Sequence, residues 1–162
     1  MTDMTEPSLA NHGKIALEGL HNTRDLGGLP ASDAHILPHR LLRSGMLGPA
    51  TTEDTRVLRD VYDVRLVIDL RTDEEAERWP DPMELLPEAR LVRLPVFRAP
   101  GGGNAQEAIR TLGEKLKSGE LDIADLFADL YPRFVLGEDG IAAYHGLFRE
   151  LLCLEEGAAL WH

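Results

Sequence analysis

Two short motifs each place an arginine, beside an aspartate, where the arginine could bind an anionic ligand. The first runs from Asn22 to Gly28 and reads Asn-Thr-Arg-Asp-Leu-Gly-Gly, with a Gly-Gly pair that can adopt positive φ. The second is Asp69-Leu70-Arg71, at the end of an apolar run that predicts a buried strand. Ligands of open α/β sheets bind at the carboxyl ends of strands, and arginine together with backbone N–H groups can hold a phosphate.

Each motif also has a purely structural interpretation. Arg24 and Asp25 could form a salt bridge within a capped turn. Asp69 could cap neighbouring backbone while Arg71 pairs with a glutamate of the segment that follows, Glu74 or Glu75. The residues alone leave both interpretations open.

The last six residues form a third candidate. Gly157 predicts a turn, and the apolar run Ala-Ala-Leu-Trp after it predicts a buried strand that ends at His162. A buried strand needs a further element to pack against. We therefore expect the sequence to stop before its domain is complete.

Cys153 is the single cysteine of the chain. It lies in the run Leu-Leu-Cys-Leu, which predicts an apolar helix face, and it lacks the glycines and the arginine that a thiolate loop needs. We expect an inert thiol.

One group of side chains resembles a metal site: His21, Asp33, His35 and His39. Pro38 interrupts any helix that would align His35 with His39 on one face, so we expect no metal there and no cofactor.

Alternating strands and helices indicate an α/β fold around these motifs. Thr51 or Thr52 can cap a helix, and Thr72-Asp-Glu-Glu75 is a capping box that begins another. Strands are predicted at 15–17, 41–44, 64–70, 91–96 and 158–161, and further helices at about 105–118, 121–136 and 139–153. The glycine-rich segment 99–104 predicts a loop. Two buried helix faces are predicted, one formed by Ile123, Phe127, Leu130 and Phe134 and the other by Ile141, Tyr144, Phe148 and Leu151.

Composition limits the classes of function. The length of 162 residues fits a single domain, of which we expect 14–162 to form the N-terminal portion, preceded by a flexible arm at 1–13. A formal net charge of -11 argues against a nucleic-acid partner, which needs a basic face. No apolar run is long enough for a membrane helix and the N-terminus lacks the features of a signal peptide, so we expect a cytoplasmic protein without integral membrane association.

The order of the motifs resembles the bacterial tyrosine-phosphatase-like family, with dual-specificity and phosphoinositide members, of the cysteine phosphatase superfamily. The similarity rests on the Asn22–Gly28 motif, on Asp69-Leu70-Arg71 and on the terminal strand ending in His162. Three further segments occur in the family's order: Leu42-Arg43-Ser44, Leu94-Pro95-Val96-Phe97 and Tyr131-Pro132-Arg133-Phe134. The chain departs from the family at Thr23, where an aromatic residue is commoner, and at Arg98, where some relatives carry an acidic residue proposed as the proton donor.

This resemblance implies a cysteine-phosphatase-like α/β fold, a central sheet flanked by helices, with its C-terminal part missing. It implies a phosphate monoester hydrolase whose nucleophilic cysteine follows His162 directly, with His162 supporting the cysteine loop. The expected substrates are a phosphorylated protein, a lipid head group or a small phosphate ester. Six residues are expected to shape the substrate site: Asn22, Arg24, Asp25, Ser44, Asp69 and Arg71.

Two other functions remain open from the sequence. The run Val67-Ile-Asp-Leu-Arg71 followed by glutamates also resembles the strand motif of rhodanese-type sulfurtransferases, although the Asn22–Gly28 motif has no counterpart there. A phosphate-binding pseudophosphatase without catalysis is the other alternative.

Overall fold

The computed structural model describes residues 13–98, 105–120 and 122–162. The predicted arm at 1–13, except for its last residue, and the predicted loop at 99–104 lie outside the described residues. The chain is a mixed α/β protein in which a central mixed sheet is flanked by helices, which confirms the predicted fold class. It divides into two compact units: one contains the described parts of 1–68, 80–92 and 151–162, and the other contains those of 69–79 and 93–150.

The first unit is built on a five-stranded sheet with the order β1-β4-β7-β5-β6. The middle strands β4, β7 and β5 are parallel, and β1 pairs antiparallel with β4. A separate hairpin pairs β2 with β3. The strands are β1 Arg24–Asp25, β2 Pro30–Ala31, β3 Ala34–His35, β4 Leu41–Arg43, β5 Val64–Asp69, β6 Arg90–Arg93 and β7 Ala158–Trp161.

The predicted C-terminal strand, β7, lies at the centre of this sheet. Leu160 is opposite Leu42 of β4 on one side and Val67 of β5 on the other, and all three side chains are completely buried. Gly157 turns the chain into β7 with a φ of 71°, a conformation that glycine adopts readily. The apolar run 64–70 is likewise confirmed as a strand buried on both faces.

Helix α1, Thr52–Asp60, packs beside the sheet through Leu58. Its N-cap is Thr51, and the capping box is completed by Asp54, whose side chain accepts a hydrogen bond from the Thr51 N–H at 3.0 Å. Asp54 also accepts from the N–H groups of Glu18 and Gly19, each at 2.8 Å. One buried carboxylate thereby joins α1 to the segment before the Asn22–Gly28 motif.

The prediction of a strand at 15–17 is wrong. Lys14 forms a single bridge to Arg24, and the Ile15 N–H donates to the Thr23 carbonyl. Ile15 is buried because it packs into the core rather than because it belongs to a longer edge strand. A 3-10 helix, Met83–Leu85, and strand β6 complete this unit.

Four further helices begin in the second unit: α2 Asp73–Arg78, α3 Ala105–Ser118, α4 Ile123–Leu136 and α5 Glu138–Leu152. The predicted Thr72 capping box at the start of α2 is confirmed. Both predicted buried faces are only partly buried: Leu130, Phe134, Tyr144 and Leu151 are half-buried, whereas the other four residues are exposed. Ile123, Ile141 and Phe148 are 62%, 56% and 62% exposed. The buried residues of α5 are instead mostly small: Gly140, Ala143, Gly146 and Leu147.

The small residues explain the error on α5. A Cβ atom added to Gly146 would lie 2.9 Å from the Leu94 side chain, so the glycine allows the helix to approach that leucine closely. Periodicity of large apolar residues cannot reveal a contact face made of glycine and alanine.

Candidate active site

His162 follows β7 and its side chain is fully buried. Its Nε2 lies 3.2 Å from Oδ2 of Asp81, whose side chain is 1% exposed. The backbone N–H of His162 donates to the Ile68 carbonyl at 3.1 Å and so extends the pairing of β7 with β5. Among the described residues, Nδ1 of His162 has no hydrogen-bond partner.

The backbone around Asp81 is constrained on both sides. Pro80 precedes it and Pro82 follows it, and a following proline confines the residue before it to extended conformations. The Asp81 carbonyl accepts from the Met83 N–H at 2.8 Å, at the start of the 3-10 helix. No local pattern in the sequence indicates the contact of Asp81 with His162, because the two residues are 81 positions apart in the chain.

The Asn22–Gly28 motif forms a hydrogen-bonded loop that includes β1. Asp25 accepts from the Gly27 N–H at 2.8 Å and from the His39 N–H at 2.9 Å. Arg24 Nε donates to the Asn22 side-chain carbonyl at 3.3 Å. Gly28 has a φ of 82°, as predicted for the glycine pair. The Asp25 carboxylate therefore holds the shape of this loop.

Ser44 directly follows β4, and its side chain faces inward. Its hydroxyl lies 2.8 Å from the hydroxyl of Thr23, and both residues are buried. Thr23 also donates to the Leu20 carbonyl at 3.4 Å. The departure from the family pattern at position 23 thus places a buried hydroxyl pair between β4 and the motif loop. A role for Ser44 in substrate binding stays a prediction.

Asp69 and Arg71 form a two-pronged ion pair in the second unit. Arg71 Nε and Nη2 donate to the two carboxylate oxygens at 2.8 and 2.9 Å, and the Arg71 backbone N–H donates to Oδ1 at 3.0 Å. A third guanidinium nitrogen, Nη1, donates to the Trp79 carbonyl at 2.9 Å. The prediction that Asp69 caps neighbouring backbone is confirmed, and Glu75 bonds Thr72 in the capping box.

Arg71 also borders a cavity of about 260 Å³ within the second unit. Phe97 and Phe134 form an edge-to-face pair in its wall, with ring centroids 5.8 Å apart. The whole lining consists of Leu70, Arg71, Thr72, Glu75, Val96, Phe97, Leu130 and Phe134. Phe97 and Phe134 lie in two of the segments on which the family resemblance rests. No periodic pattern in the sequence indicates that their rings contact each other.

Two further residues singled out from the sequence are Arg98 and Cys153. Arg98 is held by Asp139, whose carboxylate accepts from the Arg98 N–H at 3.1 Å. Cys153 is exposed in the turn after α5, so the prediction that it sits on an apolar helix face is wrong.

The four residues of the suspected metal cluster do not converge. His39 lies against the ring of Tyr62, with centroids 4.7 Å apart. His21, Asp33 and His35 are exposed. Within the described part of the chain, no three of these four side chains bring ligand atoms close enough to share an ion.

Comparison with known proteins supports one family. A family model described as the tyrosine phosphatase family matches residues 15–162, whereas no curated protein matches the chain. No described helix combines the length and apolar character needed to cross a membrane. The family match supports phosphatase activity in general. Because it extends over nearly all of the sequence, the chain belongs to the tyrosine phosphatase family.

Proposed function

We propose that the protein hydrolyses phosphate monoesters, of the phosphotyrosine or phosphoinositide type, through a phosphocysteine intermediate. The nucleophile of this proposal is a cysteine directly after His162. The observation that supports it most is the family match, which extends to the end of β7, where a buried histidine lies at the exit of the central parallel strand. In open α/β sheets this end of a strand is where ligands bind.

The chemistry requires a cysteine that is ionised near neutral pH. Inward-facing N–H groups at a helix start, together with an arginine, lower the pKa of such a thiol and hold the phosphoryl oxygens. The thiolate attacks phosphorus, the bond to the ester oxygen breaks, and a carboxylic acid protonates the leaving alkoxide or phenoxide. Water then cleaves the phosphocysteine to release inorganic phosphate and restore the thiolate.

Two arginines among the described residues are suited to bind phosphate. The Asn22–Gly28 loop is rigid because Asp25 binds two backbone N–H groups, and it presents Arg24, which is partly exposed. Arg71 is fixed by Asp69 at the end of β5. We assign Arg24 in the first unit and Arg71 in the second as candidate cations for phosphate, each on the contacts within its own unit. The net charge of -11 favours such local recognition over a broadly basic surface.

Three classes of substrate fit this chemistry: a phosphorylated protein, a lipid head group and a small phosphate ester. We place the protein in the cytoplasm, with neither a nucleic-acid partner nor integral membrane association. A single cysteine in the sequence accords with a reducing compartment.

Aryl phosphate hydrolysis by the full-length protein tests the proposal. We expect turnover in the presence of a metal chelator, inhibition by vanadate, and loss of activity when the cysteine after His162 is changed to serine. Rapid quenching should trap phosphate on that cysteine.

Two outcomes would contradict the proposal. Sulfur transfer from thiosulfate to cyanide without aryl phosphate hydrolysis would establish the rhodanese alternative, against which the family match already argues. Phosphate or vanadate binding without turnover in either assay would establish a pseudophosphatase.

A further inference from the structure

Asp81 and His162 form a buried pair that no motif of the sequence indicates. Their side chains are 1% and 0% exposed, and they approach at 3.2 Å through Oδ2 and Nε2. Buried polar groups of this kind are costly unless they are hydrogen-bonded, so the contact fixes both side chains. The pair joins the loop before the 3-10 helix to the exit of the central strand.

The chemistry of the two groups determines the direction of their hydrogen bond. An ionised carboxylate only accepts, so the histidine nitrogen that faces it must carry the proton. Protonation of Nε2 leaves Nδ1 of a neutral imidazole as the nitrogen with the lone pair. Nδ1 is buried and has no partner among the described residues, so the ring presents an acceptor into the interior.

We propose that Asp81 is the positioning residue of His162, selecting the tautomer with Nε2 protonated and holding Nδ1 as a hydrogen-bond acceptor for the loop that follows β7. This assignment rests on the proposed function, in which that loop carries the nucleophile. In this assignment Asp81 acts through the imidazole ring of His162.

Three features make Asp81 suited to this role. Its backbone lies between two prolines, which limit its φ and ψ angles. Its carbonyl is engaged by the Met83 N–H, and its side chain is almost completely buried. The histidine is equally constrained, because its backbone N–H continues the β5–β7 pairing. Because both backbones are constrained, the hydrogen bond between Asp81 and His162 holds the imidazole ring in one orientation.

The tautomer can be measured directly in the full-length protein. Two-bond nitrogen–proton correlation spectra of the histidine rings at mildly alkaline pH report which nitrogen carries the proton. We expect His162 to show protonated Nε2 and unprotonated Nδ1. A ring protonated at Nδ1, alone or together with Nε2, would overturn the proposal without any variant.

The Asp81→Asn variant tests whether this hydrogen bond contributes to catalysis. An amide can donate as well as accept, so the single-tautomer signature of His162 should be lost. We expect kcat to fall about tenfold or more, as for other carboxylates that orient a histidine, with KM nearly unchanged. The matched control is Asp60→Asn, which removes the same charge from an exposed carboxylate paired with Arg59. We expect this control variant to change neither the tautomer of His162 nor kcat.

The two proposals fail in different ways. A wild-type protein without phosphatase activity would contradict the proposed function, and the tautomer spectrum would still decide the role of Asp81. An active wild-type protein whose folded Asp81→Asn variant keeps the wild-type tautomer and kcat would overturn the positioning role alone. If Asp81→Asn does not fold, the wild-type spectrum decides the matter.

Discussion

The hydroxyl groups of Thr23 and Ser44 lie 2.8 Å apart in a site from which solvent is excluded. The contact joins the motif loop to the end of β4. Each hydroxyl can donate to the other, and the Thr23 hydroxyl also reaches the Leu20 carbonyl. Ser44 was a predicted substrate-binding residue, and in this arrangement its side chain is engaged by the fold.

Replacement of Ser44 by alanine should therefore lower stability. Thr23 would lose its closest hydrogen-bond partner in a buried setting, which costs roughly 1–3 kcal/mol in the free energy of unfolding. Denaturant unfolding measures this loss. In a double-mutant cycle with Thr23→Val, the second change should cost less than it does alone. Unchanged stability of Ser44→Ala with an increased KM would instead support direct substrate binding.

Arg71 is expected to contribute to stability as well as to phosphate binding. Arg71→Ala would leave the Asp69 carboxylate buried without its guanidinium, and breaking a buried pair from one side costs about 3–5 kcal/mol. Arg71→Lys should recover part of this lost stability, because lysine restores the positive charge but cannot form the bidentate hydrogen bonds of the guanidinium group. Thermal or denaturant unfolding of both variants, compared with vanadate affinity, separates the two contributions. Equal stability of the alanine variant and the wild type would contradict the structural role.

The Asp54 carboxyl predicts a specific pH dependence. Burial opposes its ionisation, but hydrogen bonds from the N–H groups of Thr51, Gly19 and Glu18 outweigh burial and hold the pKa of Asp54 below its ordinary value. Its stabilisation is then complete above the unfolded-state pKa of about 3.9 and is lost as the pH falls through the lower folded-state pKa.

Asp54→Asn should accordingly be less stable than the wild type at neutral pH, by roughly 1–3 kcal/mol. The difference should shrink as the pH falls below about 4, where the wild-type carboxylate also becomes protonated. Denaturant unfolding at several pH values checks this trend. A difference that is constant across that range would show that ionisation of Asp54 does not stabilise the fold.

Arg40 is expected to hold the turn before β7. Its guanidinium donates to the Gly157 carbonyl at 2.6 Å and to the Leu154 carbonyl at 3.0 Å. Arg40→Met should lower stability by about 1–3 kcal/mol and increase amide exchange in β7, because two carbonyls lose a charged donor. Arg56→Met is the matched control, since Arg56 pairs with Glu53 on an exposed face of α1 and should change little. Equal effects of the two variants would refute the assignment.

Cys153 should be chemically accessible and dispensable. Its exposed thiol is expected to react with iodoacetamide under native conditions, and Cys153→Ala should change stability by no more than about 0.5 kcal/mol. Turnover of the full-length variant should equal that of the wild type. Loss of turnover without unfolding would identify Cys153 as the nucleophile and refute its assignment to a cysteine directly after His162.

Local signals in the sequence were reliable where a single segment determines its own structure. The Thr72 capping box, the buried β5 run and the turn at Gly157 depend on neighbouring residues, and all three are present. The site depends on contacts between distant segments. Asp81 and His162 lie 81 positions apart, and the residues near each give no sign of the other. Likewise, a helical pattern shows which residues share a face but not whether other elements pack against that face. Ile123 and Phe127 share an apolar face, and both are exposed.

The position of β7 between β4 and β5 has a consequence for biosynthesis. Both neighbours are synthesised long before β7, yet neither pairs with the other in the sheet. Until residues 158–161 leave the ribosome, the inner edges of β4 and β5 have no partner, and such edges are prone to pair with other chains. Closure of the sheet also depends on contacts of large sequence separation, which form slowly. Nascent chains arrested before Ala158 should therefore remain bound to chaperones. Nascent chains that extend past His162 should no longer bind chaperones.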